Sequence, residues 1–182
     1  MSRNSELVKN TFLISLAQIS AQIVNFLLLP VYTAVLSTTE YGKADLYVTL
    51  RTILVCVLFL GVEQSIFRFC VSERDVKKKQ EYFSTGLVLA AGLMVIFSII
   101  FVSGSIIWKF QYARALYVYY FSYGLFYLLI HIARGMEKTG IYTVATTLGT
   151  ILMAVFNIIF VVWLRLGIKG VLAGSITAYT LV

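Results

Sequence analysis

From Ser84 to Trp108 the chain runs without a single charged residue. About 20 consecutive apolar residues cross the hydrocarbon of a bilayer as an α-helix. Four further segments have similar length and character, near Thr11–Leu36, Leu46–Phe69, Ala115–Ala133 and Ile141–Leu164. A sixth begins near Ile168 and reaches the last residue, Val182. The expected fold class is therefore all-α, a polytopic transmembrane helix bundle of about six spans with the last one incomplete. Residues 1–182 read as a single domain, since no repeat period and no linker-like stretch interrupts them. The sixth segment is short for a hydrocarbon core, so the chain is expected to be part of a longer product; a re-entrant last helix is the other reading.

Composition closes off the soluble alternatives. Hydrophobic residues make up 60% and charged residues 13%, about half the roughly 25% of a soluble domain. Such a chain lacks the polar residues to cover a water-facing surface. The formal charge of +7 lies between apolar runs, where basic residues set topology, so nucleic acid is not expected as a partner. With the N-terminus in the cytoplasm, the inner side holds Arg3, Lys9, Arg68, Arg74, Lys77, Lys78, Lys79, Arg134 and Lys138. The outer side then holds Lys43, Lys109, Arg114, Arg165 and Lys169. Nine against five favours that orientation. The segment Ser72–Tyr82 is expected to lie on the membrane as a short amphipathic helix. The first span is read as retained rather than as a signal peptide, because Gln18, Gln22 and Asn25 interrupt it and no cleavage pattern follows.

Cys56 and Cys70 are expected on one helix, about 21 Å apart along its axis, too far to bridge. No metal-ligand spacing, phosphate-binding glycine loop or nucleophile elbow is present, so neither an enzyme nor a cofactor is expected.

Polar residues inside the spans carry what functional signal there is, because each is costly against lipid. On the first span Thr11, Ser15, Gln18, Gln22 and Asn25 fall within about 80° of arc. They read as one wall of a hydrated path or as interhelical hydrogen bonders. On the fourth, Tyr120, Tyr123, Tyr127, His131 and Arg134 share a similar arc. They suit a sugar-stacking face, or a packed face ending in an aromatic belt at Tyr117, Tyr119 and Tyr120. His131 could titrate, or simply hydrogen-bond at the interface. On the fifth, Thr139, Thr143, Thr146, Thr150 and Asn157 form a stripe whose hydroxyls can bond back to their own helix. The second span holds Arg51, Glu63, Gln64 and Arg68; Arg68 can snorkel, and Gln64 lies one turn from it. Arg51 sits deeper, and either snorkels, pairs with Asp45 or another carboxylate, or offers a permanent cation to an anionic substrate. Gly170 and Gly174 form a G-x-x-x-G that permits close helix approach. The first, fourth and fifth stripes are expected to face one shared interior, with Gln22, Tyr127 and Thr146 as its markers.

Three stretches resemble a known family: Pro30-Val31-Tyr32-Thr33 with Leu36-Ser37-Thr38-Thr39-Glu40-Tyr41-Gly42, then Leu60-Gly61-Val62-Glu63-Gln64-Ser65-Ile66-Phe67-Arg68-Phe69, then Arg134-Gly135-Met136-Glu137-Lys138, followed by Leu166-Gly167-Ile168-Lys169-Gly170. In order and spacing they are similar to the polysaccharide-transport (Wzx-type O-antigen flippase) branch of the multidrug/oligosaccharidyl-lipid/polysaccharide exporter superfamily. The resemblance implies the N-terminal lobe of a two-lobed transporter in the cytoplasmic membrane. The transporter would move a polyprenyl-pyrophosphate-linked oligosaccharide by alternating access, among membrane lipids and alongside a polysaccharide polymerase or other assembly proteins. The substrate-facing candidates are then Arg51, Gln18, Gln22, Asn25, Glu63, Gln64, Arg68, Tyr123, Tyr127, His131 and Arg134, although Arg51 belongs to none of the resembling stretches. A cation-coupled multidrug exporter of the same superfamily and a non-transporting membrane subunit are the competing readings.

Overall fold

A computed structural model describes residues 3–182 apart from 74, 110 and 137. Seven α-helices account for nearly all of it, and the described residues contain no strand. They are α1 (Arg3–Val35), α2 (Thr38–Phe59), α3 (Val62–Ser72), α4 (Val76–Trp108), α5 (Ala113–Gly135), α6 (Thr139–Asn157) and α7 (Ile168–Leu181). A π-helical segment, Ile158–Trp163, continues α6. Four helices, α6 with its continuation among them, are long and apolar enough to cross a membrane, and α2 with α3 makes a fifth crossing if the bent pair is one span.

The expected second span departs from a straight helix. Leu60 and Gly61 both take left-handed backbone angles, at φ 49° and 77°. Such angles end an α-helix, and glycine adopts them without steric cost. The axis turns by 57° and restarts as α3. Cys56 and Cys70 therefore stand on different helices, both as free thiols. The span also begins earlier than Leu46, because Ser37 and Glu40 form a capping box that starts α2 at Thr38.

The expected surface helix over Ser72–Tyr82 is not a separate element. Asp75 caps α4 by accepting the Lys77 N–H at 2.9 Å, and the residues from Val76 onward are its first turns. At about 1.5 Å per residue the 33-residue α4 is roughly 50 Å long, well beyond a 30 Å hydrocarbon core. The turns carrying Lys77, Lys78 and Lys79 can thus stand among headgroups while Thr85–Ile107 crosses. Of the basic residues used for orientation, Arg74 lies outside the described residues, as does Glu137 of the resembling stretches.

Packing is arranged around α5 and α7. The residues Val55 and Phe59 of α2, Ala90 and Met94 of α4, and Leu128 and Ile132 of α5 form one buried cluster. Phe97, Leu116, Tyr119, Tyr120 and Leu172 form another, joining α4, α5 and α7. Tyr119 and Tyr120 are thereby buried, at 1% and 6% exposure, rather than placed in an interfacial belt. By contrast α4 leaves Val88, Ile99, Ile100, Ile106 and Ile107 exposed, which in a bilayer is the face given to lipid. The glycines of the G-x-x-x-G meet α6 and its π-helical end. A Cβ on Gly174 would lie 2.8 Å from Asn157 Oδ1 and 2.9 Å from Asn157 N, so only glycine lets the two backbones come this close.

One end of the bundle is joined by polar contacts between loops. Lys43 Nζ donates to Gln111 Oε1 at 3.1 Å, the Glu40 carboxylate accepts from Ser37 and from the Ile168 N–H, and Lys169 lies over the Tyr112 ring at 5.7 Å.

Candidate functional site

A polar groove runs between α1, α2, α5, α6 and α7, in two sections that share Asn25, Arg51 and Met153. The section toward the Ser37 end encloses about 260 Å³ and is lined by Tyr32, Tyr41, Asp45, Asn157 and Ser175 among others. The second section, about 230 Å³, continues past Tyr123, Tyr127, His131, Tyr142, Thr146, Thr150 and Tyr179.

Arg51 stands where the sections meet. Its Nη1 donates to the Tyr179 hydroxyl at 2.6 Å. Its guanidinium carbon lies 4.1 Å from the centre of the Tyr123 ring, with the rings of Tyr179 and Tyr119 at 5.7 and 5.8 Å. The Tyr179 hydroxyl donates in turn to Met153 Sδ at 3.4 Å. Among the described residues no carboxylate pairs with Arg51, so the expected pairing with Asp45 does not form. Magnitudes explain how the cation is held without one. Placing Arg within a span costs about 2.5–3.5 kcal/mol. A desolvated cation–π contact returns about 2 kcal/mol, and a hydrogen bond from a charged group about 1.5–3 kcal/mol. The tyrosines thus stabilise the cation while leaving its field unneutralised, and Nε is buried without a hydrogen-bond partner among the described residues.

Beyond Arg51 the groove wall is phenolic and hydroxylic. The Tyr127 and His131 rings lie tilted at 31° with centres 4.0 Å apart, and His131 Nδ1 lies 2.9 Å from the Tyr127 carbonyl. The Tyr127 hydroxyl donates to Glu63 Oε1 at 3.4 Å; Glu63 is buried and its other oxygen has no hydrogen-bond partner among the described residues. Thr143, Thr146 and Thr150 each donate to the carbonyl four residues back, which satisfies the hydroxyl proton and leaves oxygen lone pairs free.

The structure brings together Asn25, Arg51, Tyr123, Tyr127 and His131 from the expected set, with Glu63 behind Tyr127. Arg134 is set apart, over Phe67 at 4.9 Å and Tyr142 at 5.8 Å. Gln64 and Arg68 are exposed on α3 and do not line the groove. Gln18 and Gln22 also leave the shared interior: they flank a shallow recess on α1 itself, with Ile19, Ile23 and Phe26. The reason is geometric. α1 meets the bundle mainly along α6, and the groove takes its edge at Ala21, Asn25, Leu28, Leu29 and Tyr32. Gln22 is turned about 60° from Asn25, and Gln18 lies about 10 Å nearer the N-terminus. Of the three marker residues, Tyr127 and Thr146 line the groove and Gln22 does not.

Sequence reasoning passed over Tyr179, whose hydroxyl accepts from Arg51. Tyr179 stands alone on a short apolar segment, where no polar stripe draws attention to it. The closest signal was the adjoining G-x-x-x-G, which brings α7 against α6 and so into the bundle's centre.

The fold is that of a polytopic helical membrane protein with a polar groove between its helices. The sequence profile of polysaccharide biosynthesis proteins matches residues 7–181, and the chain belongs to that family. No curated protein and no solved structure matches it.

Proposed function

We propose that this chain is the N-terminal lobe of a flippase that carries a polyprenyl-pyrophosphate-linked oligosaccharide across the cytoplasmic membrane. The observation that carries the reading is Arg51, a permanent cation at mid-groove, held by phenols and not neutralised by a carboxylate. Pyrophosphate supplies the missing anion, and a guanidinium offers it a planar fork of donors. The phenol and threonine walls suit a glycan, whose rings stack through C–H faces and hydrogen-bond at their edges. Apolar faces such as that of α4 suit the polyprenyl tail. No catalytic step is required of any residue. Alternating access would follow from a second lobe closing over the groove, and the N-terminus would be cytoplasmic.

A cation-coupled multidrug exporter of the same superfamily would need acidic groups at mid-groove. There the chain presents Arg51, with Glu63 buried behind Tyr127 and Asp45 toward the far end.

The test is export of surface polysaccharide in a strain lacking its flippase, complemented with the complete exporter and normalised to membrane abundance. Arg51→Lys should retain much of the activity and Arg51→Ala little. Full export by Arg51→Ala would reject the reading. Cysteine labelling at Lys43 and Lys78, in a background without Cys56 and Cys70, tests orientation: labelling of position 78 from outside would reverse it.

A further inference from the structure

The Glu40 carboxylate serves two helices at once. It completes the capping box of α2, accepting from the Ser37 N–H at 3.1 Å and from the Ser37 hydroxyl at 2.8 Å. It also accepts from the Ile168 N–H, at the first turn of α7. α7 does not cap itself: the residue before it is Gly167, which has no side chain, and the first N–H groups of a helix need an acceptor from elsewhere. Gly167 stands at φ 57° and leaves the space that Glu40 Oε1 fills, since a Cβ there would run into that oxygen. A carboxylate so placed also complements the positive ends of both helix dipoles.

The two helices that meet at Glu40 are the ones that carry Arg51 and Tyr179. From Glu40 to Arg51 is eleven residues along α2, and from Ile168 to Tyr179 is eleven along α7. Each is a rise of about 16 Å and three turns plus about 20°, so each helix returns to the face it started on. The helices leave Glu40 side by side, run in the same direction, and meet again where Arg51 Nη1 donates to the Tyr179 hydroxyl at 2.6 Å. Between these ends the seam is apolar, with Ala44 packed among Ile168 and Val171. Apolar contact is non-directional and sets no axial register. The hydrogen bonds at the two ends do, and Glu40 lies outside the groove lining.

Resting on the flippase reading, we propose that Glu40 is a positioning residue for the anion site. Its carboxylate locks the register of α7 against α2, and so holds Tyr179 on Arg51, about 16 Å away, in the arrangement that receives the pyrophosphate.

A double-mutant cycle in the purified complete exporter tests this, read by melting temperature and by affinity for polyprenyl pyrophosphate. In the wild type, Tyr179→Phe should weaken binding about tenfold and lower the melting temperature. In Glu40→Ala the same change should cost less than about twofold and leave the melting temperature where Glu40→Ala alone puts it. Glu40→Gln suits the capping box but has one acceptor oxygen for two helix ends. It should act the same way, and it covers the case in which the alanine variant does not fold. Ser37→Ala removes the cap of α2 and leaves Glu40 on Ile168. There Tyr179→Phe should keep its full effect, which separates register from a general loss of stability. A full effect of Tyr179→Phe in a folded Glu40 variant overturns the inference, as does its disappearance in Ser37→Ala. A wild type that does not bind the lipid, or an Arg51→Ala variant that binds it unchanged, overturns the flippase reading instead; the melting temperatures still decide whether Glu40 is coupled to Tyr179.

Discussion

Arg51 and Arg134 both rest on aromatic rings, and both bury an Nε that has no hydrogen-bond partner among the described residues. Their settings differ. Arg134 lies in the last turn of α5, where the helix's own free carbonyls and dipole favour a cation and where the membrane interface is close. Its position is accounted for by the helix that carries it. Arg51 stands thirteen residues into α2, away from either end, and is held by tyrosines from two other helices, α5 and α7. A cation kept at mid-helix by a tertiary arrangement, and turned to a groove, is the one for which a role in binding is the economical explanation.

The sharpest way to break this comparison is to remove each arginine in turn. Export by Arg51→Ala should fall about 100-fold, the scale of losing one charge-assisted contact of about 3 kcal/mol. Arg134→Ala should keep most of its export. Equal losses at equal abundance would dissolve the distinction between the two sites.

A smaller effect is expected from Tyr179→Phe, which keeps the ring beside Arg51 and removes only the hydroxyl. A hydrogen bond to a charged group is worth about 1.5–3 kcal/mol, so export should drop about tenfold or somewhat more. Tyr142→Phe, the matching change near Arg134, removes one phenol of the groove wall and should lower export by less than Tyr179→Phe does. Should the two phenylalanine variants behave alike, Tyr179 would be no more than packing.

Gly174→Ala acts on stability first. The new methyl group would meet Asn157 and the Phe156 carbonyl carbon, at 2.8–3.0 Å, and backbone cannot yield as a side-chain tip can. Overpacking of this kind costs about 1–3 kcal/mol, visible as a lower melting temperature of the purified protein. Gly42→Ala, with no atom within 4 Å of the added group, is the control and should melt within a degree or two of the wild type. If Gly174→Ala melts like the control, the tight α6–α7 contact that positions Tyr179 is not the constraint described.

The smallest effects belong to residues that the sequence grouped with Arg51 and the fold separates from it. Gln22→Ala and Gln64→Ala should each change stability by less than about 0.5 kcal/mol and leave export intact. A clear loss of export in either would widen the site beyond the groove.

Those two glutamines mark where a linear reading stops. The membrane crossings were legible in the sequence because apolar length is a local property: Ser84–Trp108 requires no knowledge of its neighbours to be read as a span. The polar stripes were legible for the same reason, since the 3.6-residue period places Tyr123 and Tyr127, or Thr146 and Thr150, on one face whatever surrounds them. That period gives an angle about a helix's own axis and nothing about which neighbour occupies the angle. Gln22 and Asn25 belong to one stripe, yet only Asn25 reaches the groove, because α1 meets the bundle along one edge. The break at Leu60–Gly61 was hidden within apolar residues that continue evenly on both sides of it, and a left-handed turn leaves no mark in hydropathy. Tyr179 came to meet Arg51, and the amide of Asn157 came to be buried, only because Gly170 and Gly174 let α7 press against α6. Close packing between helices far apart in sequence decided which polar atoms face the groove, and which of them were left without a partner.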